Sequence, residues 1–199
     1  MNIGICGGTF DPFHRGHLDP VLAIRDDMQW DRVIYIPAWK QPFKTDRESA
    51  SGYHRFSMAI LATQNYESLF VSPIELERGG TSYTVDTLEM LHSMYAGATF
   101  DWIVGDDAAT QLMTWKDPER LFRLARFVVL ARGGPAPAPE LAKRVAAGRI
   151  IYAQNEAVLI SSTEIRKRVR EGQPIEPFVD PLVSRYIHHY GLYKEDKKA

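Results

Sequence analysis

Short apolar runs along the chain alternate with longer stretches in which apolar residues recur every three or four positions. Ile3-Gly4-Ile5-Cys6 and Val33-Ile34-Tyr35-Ile36 are two such runs, the second stopped by Pro37. Trp102-Ile103-Val104 and Phe127-Val128-Val129-Leu130 are two more, and Ile150-Ile151-Tyr152 is a weaker one. Continuous rather than alternating apolarity predicts strands covered on both faces. Between them, Leu18, Val21, Leu22 and Met28 line one helical stripe, with Pro20 limiting where that helix starts without a kink. Phe56, Ala59, Ile60 and Thr63 line a second, and Leu88, Leu91 and Tyr95 a third. Asp117-Pro118 opens a fourth helix as N-cap and first-turn proline. Asp180-Pro181 opens another in the same way, and Gly191 closes it. Alternation of strands and helices at this spacing predicts an α/β fold with a mainly parallel sheet. In such sheets ligands bind beyond the carboxyl ends of the strands.

The pattern fills residues 1–193 as a single domain. Pro135-Ala136-Pro137-Ala138-Pro139 reads as a stiff surface connection within it, because too little chain follows to build a second core. Residues 194–199 form a charged tail that is expected to fray. A length of 199 residues, 45% hydrophobic and 25% charged, suits one soluble globular unit with a real core. A net charge of -1 disfavours bulk attraction to nucleic acid or acidic lipid. No apolar run is long enough to span a bilayer, and no basic segment followed by an apolar one marks a secretory leader. The single cysteine, Cys6, cannot form an internal disulfide, which suits a reducing compartment. The expectation is a cytoplasmic protein with neither nucleic-acid nor membrane partners, and association into a homo-oligomer stays open.

Chemistry concentrates in Gly7-Gly8-Thr9-Phe10-Asp11-Pro12-Phe13-His14-Arg15-Gly16-His17, directly after the first strand. Two glycines let a backbone turn sharply and bring its N–H groups close to an anion. The helix that follows aims its positive end at the same place. His14 and His17, three residues apart, share a face at a helix start, and Gly16 between them leaves room for a bulky ligand. Two imidazoles there can donate to phosphate oxygens that gain charge during nucleotidyl transfer. No Gly-Lys-Ser/Thr ends the loop, so it is not a Walker A motif, and the glycine spacing is wrong for a dinucleotide fingerprint. A zinc site would need further ligands, and only His54, His92, His188 and His189 remain among the histidines. Near the other end, Ser161-x-x-Glu164 is a capping-box pattern that starts a helix with Ser162, Thr163 and Arg166 close to its free N–H groups. Taken alone, that second segment fits an ordinary capped surface helix with solvated basic residues better than a phosphate site.

The first string resembles the signature of the HxGH nucleotidyltransferases, and Ile160-Ser161-Ser162-Thr163-Glu164-Ile165-Arg166 resembles that superfamily's second signature. Ser82-Tyr83-Thr84-Val85-Asp86-Thr87, Ile103-Val104-Gly105-Asp106-Asp107, Trp115 and Ala131-Arg132-Gly133 extend the likeness over essentially the whole chain. Together these motifs are similar to those of the bacterial nicotinate mononucleotide adenylyltransferases. The resemblance implies a Rossmann-like, doubly wound fold that joins ATP and nicotinate mononucleotide into deamido-NAD with release of pyrophosphate. It implies Mg²⁺ accompanying ATP and no resident metal site.

The resemblance also implies roles by position. His14, His17, Lys44 and Arg166 form the catalytic set. Gly7, Gly8, Thr9 and Phe10 lie beside the ATP phosphates, and Ser161, Ser162 and Thr163 hold the β- and γ-phosphates together with Arg166. Gly105 and Asp107 lie near the adenosine, and Arg132 near the adenine edge. Lys44 receives the mononucleotide phosphate, Trp115 stacks on the nicotinate ring, and Tyr83 and Thr84 receive its carboxylate. By residue type alone, Trp115 and Tyr83 fit a core equally well, and Thr84 fits an N-cap. This chain departs from the family pattern at Phe43, at Ala38 and at Asp106. Sister transferases acting on nicotinamide mononucleotide or pantetheine phosphate, and a non-catalytic nucleotide-binding protein, are the rival readings.

Overall fold

The computed structural model describes residues 1–42, 50–131, 133 and 139–194. One six-stranded sheet organises them: β1 (Asn2–Gly8), β2 (Arg32–Pro37), β3 (Leu69–Val71), β4 (Thr99–Gly105), β5 (Arg126–Leu130) and β6 (Ile150–Tyr152). Its order is β3-β2-β1-β4-β5-β6, and every neighbouring pair is parallel. The helices are α1 (Arg15–Ile24), α2 (Gly52–Thr63), α3 (Ile74–Arg78), α4 (Thr84–Met94), α5 (Asp106–Ala109), α6 (Pro118–Leu124), α7 (Ala142–Ala146), α8 (Ser162–Arg170) and α9 (Pro181–Tyr190). This is the doubly wound, Rossmann-like arrangement the sequence predicts.

Two apolar cores explain why the strands read as unbroken apolar runs. Val33, Tyr35, Ile103, Val128 and Leu130 point to one face, where residues of α1, α2, α8 and α9 cover them. Their alternate neighbours Ile34, Ile36, Trp102, Val104, Phe127 and Val129 point to the other face, under α3, α4 and α6. Period-two alternation therefore persists, with both sides apolar. Asp101 is buried at the lower end of β4, where the Trp30 indole N–H donates to Oδ2 at 2.7 Å and Arg126 pairs with it.

Several expectations are adjusted. β3 carries too short an apolar run to announce itself, and as an edge strand it leaves Phe70 exposed beneath the Arg32 guanidinium. α1 begins at Arg15 with Pro20 inside it, so Pro20 cannot donate the intrahelical bond to Gly16 and the helix tolerates that loss. On α2 the buried face is Arg55, Met58, Ala59, Ala62 and Thr63, while Ile60 is exposed. The caps expected of Asp117, Asp180 and Ser161 are present, each accepting from a first-turn N–H, and Gly191 closes α9 at a φ of 62°. Residues 135–138 of the proline-rich connection and 195–199 of the tail lie outside the described residues.

Candidate active site

β1 and β4 are neighbours from which the chain winds in opposite directions, which makes the gap beyond their carboxyl ends the switch point of the sheet. A cavity of about 800 Å³ opens there, lined by Gly7, Gly8, Thr9 and Phe10 after β1 and by Val104, Gly105 and Asp107 after β4. Its remaining wall carries Tyr83, Thr84, Trp115 and Lys116, and Gln41 and Pro42 reach its rim. That volume falls in the range of small-molecule sites.

The glycines act through space rather than by turning. Both close β1 in extended conformation. A Cβ on Gly7 would stand 2.6 Å from the Trp102 ring, and one on Gly8 2.8 Å from the Phe10 ring. The sharp turn falls instead on Phe10, a non-glycine residue at a φ of 53°, in the left-handed region that costs about 1–2 kcal/mol. The packing of its ring holds it there: Phe13, His17 and Tyr35 lie at centroid distances of 5.3, 4.9 and 5.9 Å. Thr9 beside it has a buried Oγ1 without a hydrogen-bond partner among the described residues.

The two histidines differ in placement. His17 lines the cavity, whereas His14 is buried and stacks against it at a centroid distance of 3.7 Å and an interplanar angle of 27°. The backbone N–H of His14 donates to Nδ1 of His17 at 3.3 Å, which assigns the proton of neutral His17 to Nε2. Gly16 makes room first for the His14 ring, 3.0 Å from where its Cβ would be. The buried Tyr35 hydroxyl donates to the His17 carbonyl at 3.1 Å and fixes the helix start from below.

Ser161, Ser162, Thr163 and Arg166 stand at the amino end of α8, which docks on the same loop without lining the cavity. The Ser162 hydroxyl donates to the Pro12 carbonyl at 3.1 Å. Arg166 donates from Nη1 to the Asp11 carbonyl at 2.6 Å and from Nη2 to Thr163 Oγ1 at 3.3 Å. Its guanidinium is thus engaged on the loop rather than extended into the open space. Thr84 is the first residue of α4, and the preceding Tyr83 occupies the N-cap position without a side-chain cap bond. The side chain of Asp106 accepts the Asp107 N–H at 2.9 Å, and the Thr110 hydroxyl donates to the Asp107 carbonyl. Lys44 and Arg132, together with Phe43, lie outside the described residues.

Four residues have supporting roles that the sequence does not assign: Arg55, Asp11, Tyr193 and Glu75. Arg55, 3% exposed, donates to the carbonyls of Thr9 (2.6 Å), Ala38 (2.7 Å) and Ala50 (3.1 Å). Burial lowers its pKa, and the Asp11 carboxylate works against that shift. Asp11 accepts from the Ala50 N–H at 3.1 Å and from the Tyr193 hydroxyl at 2.7 Å. Burial, with Asp11 adding to it, raises the Tyr193 phenol far above its ordinary value, so this hydroxyl is a permanent donor. Glu75, buried at the cavity wall, accepts from the Thr87 hydroxyl at 2.6 Å. Burial pushes its carboxyl up, against the opposing effects of the Ser82 and Thr87 hydroxyls and of Arg78. A charged residue on the apolar face of a predicted helix, as with Arg55, is the signal that could have found it.

The cytidylyltransferase-like family matches residues 5–168. The chain is 39% identical to the probable nicotinate-nucleotide adenylyltransferase of Thermoanaerobacter sp. (strain X514), over 100% of this chain and 97% of the relative. It is 41% identical to the protein of the same description from Roseiflexus sp. (strain RS-1), over 96% and 98% of the two chains. In fold it is similar to Plasmodium falciparum nicotinic acid mononucleotide adenylyltransferase complexed with NaAD, with a TM-score of 0.77 at 22% identity over 96% of this chain and 97% of that one.

Proposed function

Because the chain belongs to the cytidylyltransferase-like family and, within it, to the nicotinate-nucleotide adenylyltransferases, we propose that its cavity joins ATP to nicotinate mononucleotide, giving deamido-NAD and pyrophosphate. The observation that supports this reading is that one cavity is lined by both groups of motif residues, those proposed for ATP and those proposed for the acceptor. Gly7, Gly8, Thr9 and His17 line it together with Tyr83, Thr84 and Trp115. The buried Thr9 hydroxyl, without a partner among the described residues, is a donor suited to a phosphate oxygen.

In the proposed reaction a phosphate oxygen of the mononucleotide attacks the α-phosphorus of ATP in line. A new P–O bond forms, the bond from the α-phosphorus to the bridging oxygen breaks, and pyrophosphate leaves with that oxygen's electron pair. The nucleophile is already ionised at neutral pH, so positioning and charge neutralisation dominate the work of the protein. His17 donates from Nε2 toward the triphosphate, and His14 holds it in that tautomer through its backbone N–H. The positive amino ends of α1 and α8, which meet at the loop after β1, add a favourable field for the same anion. Arg166, Ser162 and Asp11 act by locking those two helix starts together. Lys44 and Arg132 are proposed, on family likeness alone, to meet the acceptor phosphate and the adenine edge. Trp115 stacks on the acceptor ring, and the backbone at Tyr83-Thr84 receives its carboxylate.

Among the described residues no group of three or more His, Cys, Asp or Glu side chains is placed to cage a metal. The cation is proposed to arrive on the triphosphate, with Asp107 a described cavity carboxylate able to touch its hydration shell. Mg²⁺ would neutralise charge on the phosphates. No described helix is long and apolar enough to cross a membrane, and we place the enzyme in the cytoplasm. The test is pyrophosphate release with ATP and, in parallel, nicotinate mononucleotide, nicotinamide mononucleotide and pantetheine phosphate. Release is expected with the first and weakly with the second. Equal release with pantetheine phosphate, or none with any acceptor, would contradict the proposal.

A further inference from the structure

Two anionic nucleotides must share a cavity whose described charged side chains are mostly negative. Glu75 and Asp107 line it, and among the described lining residues Lys116 is the one lysine or arginine. Lys116 follows Trp115 directly. Its Nζ lies 4.7 Å from the centre of the Tyr83 ring and 2.8 and 3.0 Å from the two carboxylate oxygens of Asp86. Both aromatic residues of the acceptor wall are therefore tied to this one side chain, Trp115 by sequence and Tyr83 by contact.

The orientation of the pair decides its effect. Lys116 lines the cavity and Asp86 does not, and the Lys116 ammonium lies over the Tyr83 ring that lines the same cavity, which puts the cation of the pair on the ligand side of its carboxylate. A carboxylate on the acceptor ring gains from that field, and a carboxamide of the same shape does not. Glu75, which lines the same cavity, sets the opposite field when ionised, which leaves the choice between acid and amide sensitive to the one described lysine there.

We propose that Lys116 is a specificity-determining residue, selecting an acceptor with an anionic ring substituent over its neutral amide. This rests on the acceptor reading of the Tyr83–Trp115 wall given above. The Lys116 side chain is 48% exposed and solvent screens it, so the effect is about ten-fold in preference rather than thousands-fold.

The experiment compares kcat/KM for nicotinate and nicotinamide mononucleotides at saturating ATP in the unsubstituted protein, Lys116→Met, Lys116→Arg and Asp86→Asn. Lys116→Met is expected to lose about ten-fold with the acid, mainly through KM, and less than about two-fold with the amide. Lys116→Arg is expected to restore most of the preference. Asp86→Asn, which unmasks the ammonium, is expected to widen it. An acid-to-amide ratio unchanged in Lys116→Met, or equal losses with both acceptors, would overturn the inference and leave Lys116 a packing residue for Tyr83. No release with either acceptor in the unsubstituted protein would overturn the adenylyltransferase reading itself, and this inference with it.

Discussion

Replacing Arg55 with methionine probes how the loop after β1 is held, because one buried guanidinium ties down three carbonyls on three separate segments. Methionine fills much of the same volume and donates nothing. Each lost bond to a charged donor is worth about 1.5–3 kcal/mol when its partner stays buried. Against the resulting sum of several kcal/mol stands the relief of desolvating a cation, a cost visible in the depressed pKa of Arg55. The Ala50 bond, longer at 3.1 Å, contributes least. A net destabilisation of about 3 kcal/mol follows. At about 2–4 °C per kcal/mol for a chain of this size, the melting temperature falls by about 6–12 °C. The functional signature is separable from the stability loss. Freed of its anchor at the Thr9 carbonyl, the loop presents Thr9 and His17 less well, so the KM for ATP rises more than the KM for the acceptor at a temperature where the variant is folded. Urea melts and steady-state pyrophosphate release measure the two. A loss below about 1 kcal/mol, or equal shifts in both KM values, would refute the role given to Arg55.

Three further outcomes follow from the site. His17→Ala is expected to lose turnover by about 10²–10³ with its melting temperature nearly unchanged, and near-normal turnover would exclude His17 from the chemistry. Trp115→Ala is expected to raise the KM of the mononucleotide several-fold more than that of ATP; equal shifts would argue against stacking. Burial raises the Glu75 carboxyl above its usual value of 4.5, so the folded state holds that proton more tightly than the unfolded chain. Its ionisation therefore costs stability, a cost absent below that value and growing as the pH rises through the folded pKa. Glu75→Gln is expected to flatten this part of the stability–pH curve in urea melts, and parallel curves for the two proteins would contradict the assignment.

The architecture is legible in the sequence because two-faced burial writes each inner strand as a continuous apolar run, and because Asp117-Pro118 and Asp180-Pro181 mark helix starts by local chemistry alone. β3 is not legible: three edge residues bury one side only. The same division holds at the site. Gly7, Gly8, Thr9, Phe10, His17, Tyr83, Thr84, Gly105, Asp107 and Trp115 are motif residues, and the fold brings all of them to one cavity. What each does depends on contacts that no local pattern encodes. Gly7 is glycine because Trp102, far along the chain, packs where its Cβ would be. His14 differs from His17 because the α1 start tucks one ring behind the other. Arg166 looks free in sequence, yet meets the Asp11 carbonyl across 155 residues of chain. Arg55 and Glu75 stand in no motif, and Asp11, although inside the first one, has a role no pattern announces, since their partners are backbone and hydroxyl groups assembled by tertiary structure.

The central claim is that the triphosphate rests on the loop between β1 and α1 while the acceptor lies against Tyr83 and Trp115 in the same cavity. A crystal structure with a non-hydrolysable ATP analogue tests it most directly. The account predicts phosphate oxygens within hydrogen-bonding distance of Thr9 Oγ1 and His17 Nε2, with the α-phosphate facing the Tyr83–Trp115 wall. A triphosphate bound away from residues 7–17 would contradict it.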